Sequence, residues 1–260
     1  MRKLFRLLRI TILLTILIIV AANTWLSHLR TTDWDDTLWV ALYPINGEGT
    51  EMIDRYMARL NARNFAPIET FFREEAAGWE VNLRQPVHIV LAPPVDEQPP
   101  TPPVNGNAVE NMWWSLRFRY WAWRVDTLTD VAPHIRIFVV YHTPVSGQRL
   151  DHSVGLQKGL LGIANVFASH SMAPRNQVVI THEILHTLGA SDKYDANGRV
   201  VYPQGYAEPE RRPLHPQRLA EIMAGRIPVS LARSRIPPGL EYCVVGEITA
   251  QEINWIAADE

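Results

Sequence analysis

The chain has 260 residues, 47% of them hydrophobic and 20% charged, so it is long and apolar enough to bury a sizeable core. Its net charge of −2 offers no basic surface of the kind that phosphate binding requires, and we therefore expect no nucleic-acid partner. The single cysteine, Cys243, excludes an internal disulfide framework and a cysteine-based zinc site.

The N-terminus combines basic residues with a long apolar run. Four basic residues within the first nine are followed by a stretch from Ile10 to Leu26 that carries no charge. This order predicts that the N-terminus stays in the cytoplasm and that the rest of the chain lies outside it. The favoured interpretation is a retained single-pass anchor in the cytoplasmic membrane, with Leu7 to Leu26 supplying the roughly 20 residues that a spanning helix needs. The alternative is a signal peptide cleaved near Val20-Ala21-Ala22, followed by secretion.

The remainder of the chain is predicted to be one domain, residues 33–260, joined to the N-terminal segment and linker of residues 1–32. Runs of β-branched and aromatic residues predict strands, and apolar residues at helical spacing predict helices between them. The alternation indicates a mixed α/β fold of the α+β class. The predicted strands are 37–45, 87–93, 135–142 and 159–169, and the predicted helices are 48–64, 68–79, 110–128 and 177–189.

The helix predicted at 110–128 contains four of the nine tryptophans of the chain. Aromatic residues at helical spacing normally pack inward, which favours a core helix. Docking on a membrane surface is the alternative, because Arg117, Arg119 and Arg124 alternate with the tryptophans.

The segment 177–189 carries the strongest chemical signal in the sequence. Its apolar residues predict a helix, and Gly189 ends it, since glycine adopts the left-handed conformation without steric cost. His182 and His186 are four residues apart and therefore project from the same side of the helix, where two imidazole nitrogens can reach one Zn²⁺. Glu183 lies beside the pair, where it can hold a water and take its proton without being a ligand.

A catalytic zinc site usually takes three protein ligands and leaves a fourth position for water. Asp192 is the predicted third ligand, because it follows the turn at Gly189 after only three residues. His215 is one alternative ligand, and a carboxylate elsewhere is another. A calcium loop is a further, weaker interpretation of the acidic residues after the helix. The carboxylates considered are Glu208, Glu210, Glu221 and Glu247, and the calcium interpretation would use Asp192, Asp195 and Asn197.

Residues 182–192, HEILHTLGASD, resemble the H-E-x-x-H-x-x-G-x-x-H/D pattern of the metzincin zinc peptidases. The aspartate in the last place is similar to the snapalysin branch, in which a tyrosine follows two residues later, as Tyr194 does here. Metzincins also carry a methionine in a tight turn beneath the metal, and Met223 stands at a plausible distance for that role.

The resemblance implies a twisted sheet over an active-site helix, with a further helix at the C-terminus. Residues 249–259 predict that last helix, and Thr249 with Glu252 forms a capping-box pattern at its start. Two features depart from the family pattern: the long proline-containing segment 195–222 and the tryptophan-rich helix.

The function expected is a zinc-dependent endopeptidase that is anchored to the membrane or exported, with a peptide or protein as its substrate. Glu183 would act as the general base, and Tyr194 is a weaker candidate for stabilising the oxyanion. One alternative is a non-catalytic, zinc-supported binding domain at the membrane surface. The other is a zinc hydrolase acting on a non-peptide amide, which the same residues would serve.

Overall fold

The computed structural model describes residues 33–103, 106–128, 132–145, 153–157 and 159–257, together with Arg9, Thr11, Leu14 and Thr15. The predicted membrane segment therefore lies almost wholly outside the described residues. None of the helices within the described ranges is long and apolar enough to cross a bilayer.

The centre of the fold is a five-stranded mixed sheet with the strand order β2-β1-β3-β5-β4. The first four of these strands are parallel, and β4 pairs with β5 in the antiparallel sense at the edge of the sheet. The strands are β1 (Leu38–Asn46), β2 (Val87–Leu91), β3 (Ile135–His142), β4 (Val154–Leu156) and β5 (Leu161–Phe167). The four predicted strands are confirmed, whereas the short β4 lies in a segment for which no strand was predicted.

Five α-helices accompany the sheet in the described part of the chain, and the mixed α/β architecture fits the predicted α+β class. They are α1 (Glu51–Met57), α2 (Ala66–Gly78), α3 (Ala108–Val125), α4 (Ala173–Leu188) and α5 (Glu247–Glu252). The helix predicted at 48–64 is shorter than expected, because Asn61 caps a separate 3₁₀ turn with its side chain. The strands that follow α4 are short, namely β6 (Ala220–Glu221), β7 (Ile227–Ser230), β8 (Arg233–Arg235) and β9 (Cys243–Val244).

Both faces of the sheet are covered, because alternate residues of each strand point to opposite sides. In β1, Val40 and Leu42 face a large core shared with α1, α2 and α4. Ala41 and Tyr43 face a smaller core shared with α3. Burial on both faces explains why the parallel strands read as continuous apolar runs.

The tryptophan-rich helix α3 is half core and half surface. Trp114, Phe118 and Trp121 are buried against the sheet, and the ring centroid of Trp121 lies 4.6 Å from that of Phe138 on β3. Burying Phe118 alone stabilises the fold by about 1.5–3 kcal/mol. The core interpretation is therefore right for this face, but the opposite face leaves large apolar side chains in water: Val109, Met112, Trp113, Leu116, Tyr120 and Trp123.

The C-terminal helix is present, but its predicted capping box is wrong. Helix α5 begins after Gly246, two residues before Thr249. The hydroxyl of Thr249 donates instead to the buried carboxylate of Glu221 at 2.6 Å. Glu252, at the end of the helix, is used for a contact with the loop that follows α4.

Candidate metal centre

Helix α4 sets the positions of the two histidines. It begins with Pro174 in its first turn and ends at Leu188, where Gly189 takes a φ of 112°. The amide of Ala190 then donates to the carbonyl of Leu185 at 3.0 Å, which closes the helix end in a Schellman-type turn. The chain leaves the helix sharply and returns toward the histidines within three residues, as the glycine predicted.

The turn brings Asp192 onto the two histidines. Its Oδ1 lies 3.2 Å from the Nε2 of His182 and 3.2 Å from the Nε2 of His186. The three ligand atoms lie within 4.8 Å of one another, so the group could hold a metal ion. The side chains of the two histidines are 14% and 18% exposed and that of Asp192 is 40% exposed, which leaves the group open to solvent on one side.

The second nitrogen of each imidazole ring is held by a backbone carbonyl. His182 Nδ1 lies 3.0 Å from the oxygen of Ile222, and His186 Nδ1 lies 2.8 Å from the oxygen of Ala190. A carbonyl only accepts, so each Nδ1 must carry the proton. In the neutral ring the Nε2 lone pair then points toward Asp192, which is the orientation that a metal ligand needs.

Charges at the group perturb the pKa values of its members. Burial by itself lowers the pKa of His182, but its hydrogen bond to Asp192 and the charge of Glu183 outweigh burial and raise that pKa to about 9. For Asp192, burial raises the pKa, but hydrogen bonds from both histidines hold it well below its usual range. The site therefore pairs an ionised carboxylate with an imidazole that binds a proton strongly. A metal cation could take the place of that proton between the two side chains.

Glu183 lies next to the ligand group without joining it. Its side chain is buried, at 3% exposure, and its Oε2 has no hydrogen-bond partner among the described residues. Burial raises the pKa of this carboxyl to about 7. Burying a carboxylate oxygen without a hydrogen-bond partner costs free energy. Because this oxygen lies beside three converging ligand atoms, a water or a ligand bound there could supply the missing hydrogen bond.

Met223 lies in a tight turn that follows β6. The turn is closed by the amide of Gly225, which donates to the carbonyl of Glu221 at 3.1 Å, and Gly225 has a φ of 62°. Met223 is fully buried, and the carbonyl of its neighbour Ile222 is the one that orients His182. The turn that contains Met223 therefore contacts the ring of His182 through its backbone.

Tyr194 lies half-buried beside Asp192. Burial, the charge of Asp192 and a hydrogen bond to it raise the pKa of the phenol well above its usual range. The hydroxyl therefore stays protonated at neutral pH and can act as a hydrogen-bond donor.

The remaining candidate ligands do not join this group. His215 Nε2 lies 3.2 Å from the hydroxyl of Tyr206. Glu208 pairs with Arg211. Asp195 accepts hydrogen bonds from the backbone amides of Asn197 and Arg199, so it organises its own turn.

Glu221 is a structural carboxylate. It is fully buried, and its two oxygens accept hydrogen bonds from Thr249, Gly246 and Ala224. These partners hold the turn at Met223 and occupy both oxygens of Glu221, which is not one of the three converging groups. Glu210 and Glu247 are likewise outside the group of converging ligand atoms.

Lys193 and Glu252 support the loop that carries Asp192, and the sequence did not predict this role. Lys193 is buried, and its Nζ lies 2.6 Å from Glu252 Oε2. No local spacing connects residues that are 59 positions apart. The only available signal is the occurrence of a lysine between an aspartate ligand and an aromatic residue, which does not distinguish a buried lysine from an exposed one.

No known family model matches the chain, and no curated protein is similar to it at a significant level.

Proposed function

We propose that the protein is a zinc-dependent peptidase in which Glu183 is the general base. The observation that carries the proposal is the buried, unpartnered carboxylate oxygen of Glu183 beside the group formed by His182, His186 and Asp192. A site that only stabilised a fold would have no use for such a carboxylate, whose desolvation costs free energy.

The donor set fits zinc better than it fits calcium or magnesium. Two imidazole nitrogens and one carboxylate oxygen are ligands that zinc accepts, and three protein ligands leave a fourth position open, as in catalytic rather than structural sites. Calcium and magnesium prefer sets made only of oxygen atoms. When bound, the zinc would polarise a substrate carbonyl and lower the pKa of a water beside it.

The residues of the chain account for the proton movements of hydrolysis. Glu183 accepts a proton as the water oxygen bonds to the carbonyl carbon, and it passes this proton to the nitrogen as the carbon–nitrogen bond breaks. Its pKa of about 7 suits both directions of transfer near neutral pH. Tyr194, whose hydroxyl stays protonated, would donate its hydrogen bond to the developing oxyanion instead of to Asp192.

The edge strand β4 supports a peptide as the substrate. It is the last strand on its side of the five-stranded sheet, and Gly155 at its centre lies against His186 and Glu183. An extended peptide can add to an exposed sheet edge through main-chain hydrogen bonds. A peptide paired with β4 would run past Glu183.

The decisive experiment is the Glu183→Gln variant of the zinc-loaded full chain. Glutamine keeps the size of the side chain but cannot accept the water proton, so we expect zinc content and unfolding temperature near those of the wild type. Cleavage of a degenerate peptide library should fall by roughly 10²–10⁴-fold. Cleavage by Glu183→Gln at the rate of the wild type would refute the role of Glu183.

Two other functions use the same residues. A zinc hydrolase of non-peptide amides would show the same loss with Glu183→Gln, but only on small amides. A non-catalytic, zinc-supported binding domain would cleave neither kind of substrate.

The basic and apolar N-terminal segment supports a location at the outer face of the cytoplasmic membrane, or outside the cell after cleavage. A reporter fused after residue 260 should be active only outside the cytoplasm. Activity inside the cytoplasm would refute this location.

A further inference from the structure

An open cavity of about 420 Å³ lies between helix α3 and the edge strand β4. The wall formed by α3 presents Met112 and Leu116, and the wall formed by β4 presents Leu156, so apolar side chains lie on both walls. Ser115, Arg119, Gly155 and Gln157 complete the lining.

The cavity adjoins the candidate metal centre through Gly155. A Cβ placed on this glycine would lie 2.4 Å from the Cβ of His186 and 3.3 Å from Glu183 Oε2. The backbone of β4 at Gly155 thus has the helix of the ligands on one side and the cavity on the other. A peptide that pairs with β4 beside Glu183 would pass the mouth of this cavity.

Two of the lining side chains expose apolar surface to water, which costs free energy. Met112 is 58% exposed and Leu116 is 48% exposed, although both are large and apolar. Neighbouring exposed apolar side chains that border a concave site are typical of ligand-binding surfaces. Removing their surface from water stabilises a complex.

We propose that the cavity between α3 and β4 is a specificity pocket that accepts a large apolar side chain of the substrate peptide, such as leucine, methionine or phenylalanine. This inference rests on the proposed peptidase function and names the substrate class of that site. Helix α3 then has two roles. Its buried face packs on the sheet, and its side toward β4 contacts the substrate side chain.

The test compares Leu116→Gln with Trp113→Gln in the zinc-loaded full chain. Both residues are exposed on α3, but only Leu116 lines the cavity. The cleavage sites in a degenerate decapeptide library are identified by mass spectrometry. For the wild type, we expect large apolar residues to be cleaved faster than alanine by roughly 10-fold or more at one fixed position relative to the cleaved bond. Leu116→Gln should reduce this ratio several-fold, and Trp113→Gln should retain it.

A second variant, Ser115→Phe, fills the cavity from the side of α3. It should invert the preference at the same position toward glycine and alanine, without changing the preferences at other positions. Cleavage by the wild type without any apolar preference would overturn the pocket but leave the peptidase function standing. A preference that is unchanged in both Leu116→Gln and Ser115→Phe would also overturn the pocket and leave the peptidase function standing.

The absence of any cleavage by the wild type would instead overturn the peptidase function. Binding of the same immobilised library to Glu183→Gln then decides on the pocket, because binding needs no turnover. Enrichment of apolar peptides that is lost when Leu116→Gln is added would support the pocket. Equal retention of all peptides would overturn it.

Discussion

The ammonium group of Lys193 lies 2.6 Å from the carboxylate of Glu252, at the end of the last helix. The same carboxylate accepts hydrogen bonds from the backbone amide of Ser191, at 2.9 Å, and from its hydroxyl. Ser191 and Lys193 are the two neighbours of Asp192. Glu252 therefore holds the loop on both sides of the third candidate ligand, although it is not itself one of the three converging groups.

This relationship predicts that Glu252 tunes the affinity for the metal. Glu252→Gln removes the charge that pairs with Lys193, so the loop that carries Asp192 should lose its fixed position. We expect zinc affinity to fall by roughly 10- to 100-fold, as for other residues that orient ligands. Competition with a chromophoric chelator measures the change, and Glu247→Gln, an exposed carboxylate on the same helix, is the control. Equal affinities for the two variants would mean that the loop needs no support from Glu252.

The ligand set can be tested by comparing side chains that lie in the group with one that does not. His186→Ala and Asp192→Ala should each prevent stoichiometric zinc binding, because two remaining ligands hold zinc weakly. His215→Ala should retain the metal, since His215 contacts Tyr206 instead. Metal content after dialysis is the readout. Full retention of zinc by His186→Ala, or a larger loss in His215→Ala than in Asp192→Ala, would contradict the assignment.

The raised pKa of His182 predicts a pH dependence of zinc binding. A histidine must lose its proton to bind zinc through Nε2, and the pKa of about 9 means that it is mostly protonated at neutral pH before the metal arrives. Zinc affinity should therefore rise with pH below about pH 9, by up to roughly tenfold per pH unit. Calorimetry in buffers of different ionisation enthalpy should also detect the released proton. An affinity that is constant between about pH 7 and 8.5 would show that His182 is already neutral.

The close approach of β4 to α4 makes Gly155 sensitive to the smallest substitution. In Gly155→Ala, the new Cβ would lie 2.4 Å from the Cβ of His186 and 2.9 Å from the backbone oxygen of Glu183, distances at which backbone must shift. We expect a destabilisation of about 1–3 kcal/mol and weaker zinc binding. Gly78→Ala is the control, because a Cβ at Gly78 in α2 meets no atom within 4 Å. Chemical denaturation of both variants measures the difference, and equal stability would show that β4 can move away from the helix at little cost.

The sequence alone determined the elements that depend on local spacing. The strands at 37–45 and 135–142 and the end of α4 at Gly189 follow from side-chain periodicity and backbone sterics, which act over a few residues. The convergence of His182, His186 and Asp192 belongs to the same class, since a helical turn and a glycine turn suffice to bring them together.

Contacts between distant parts of the chain depend on how the elements pack, which local sequence patterns do not reveal. The capping-box pattern at Thr249 was locally plausible, but the buried carboxylate of Glu221 draws its hydroxyl into a hydrogen bond across the fold. The same holds for Lys193 and Glu252, whose pairing depends on where the last helix packs. The sequence also does not show which face of α3 is buried, because aromatic residues occur on all sides of this helix. Packing against the sheet determines which of them are buried.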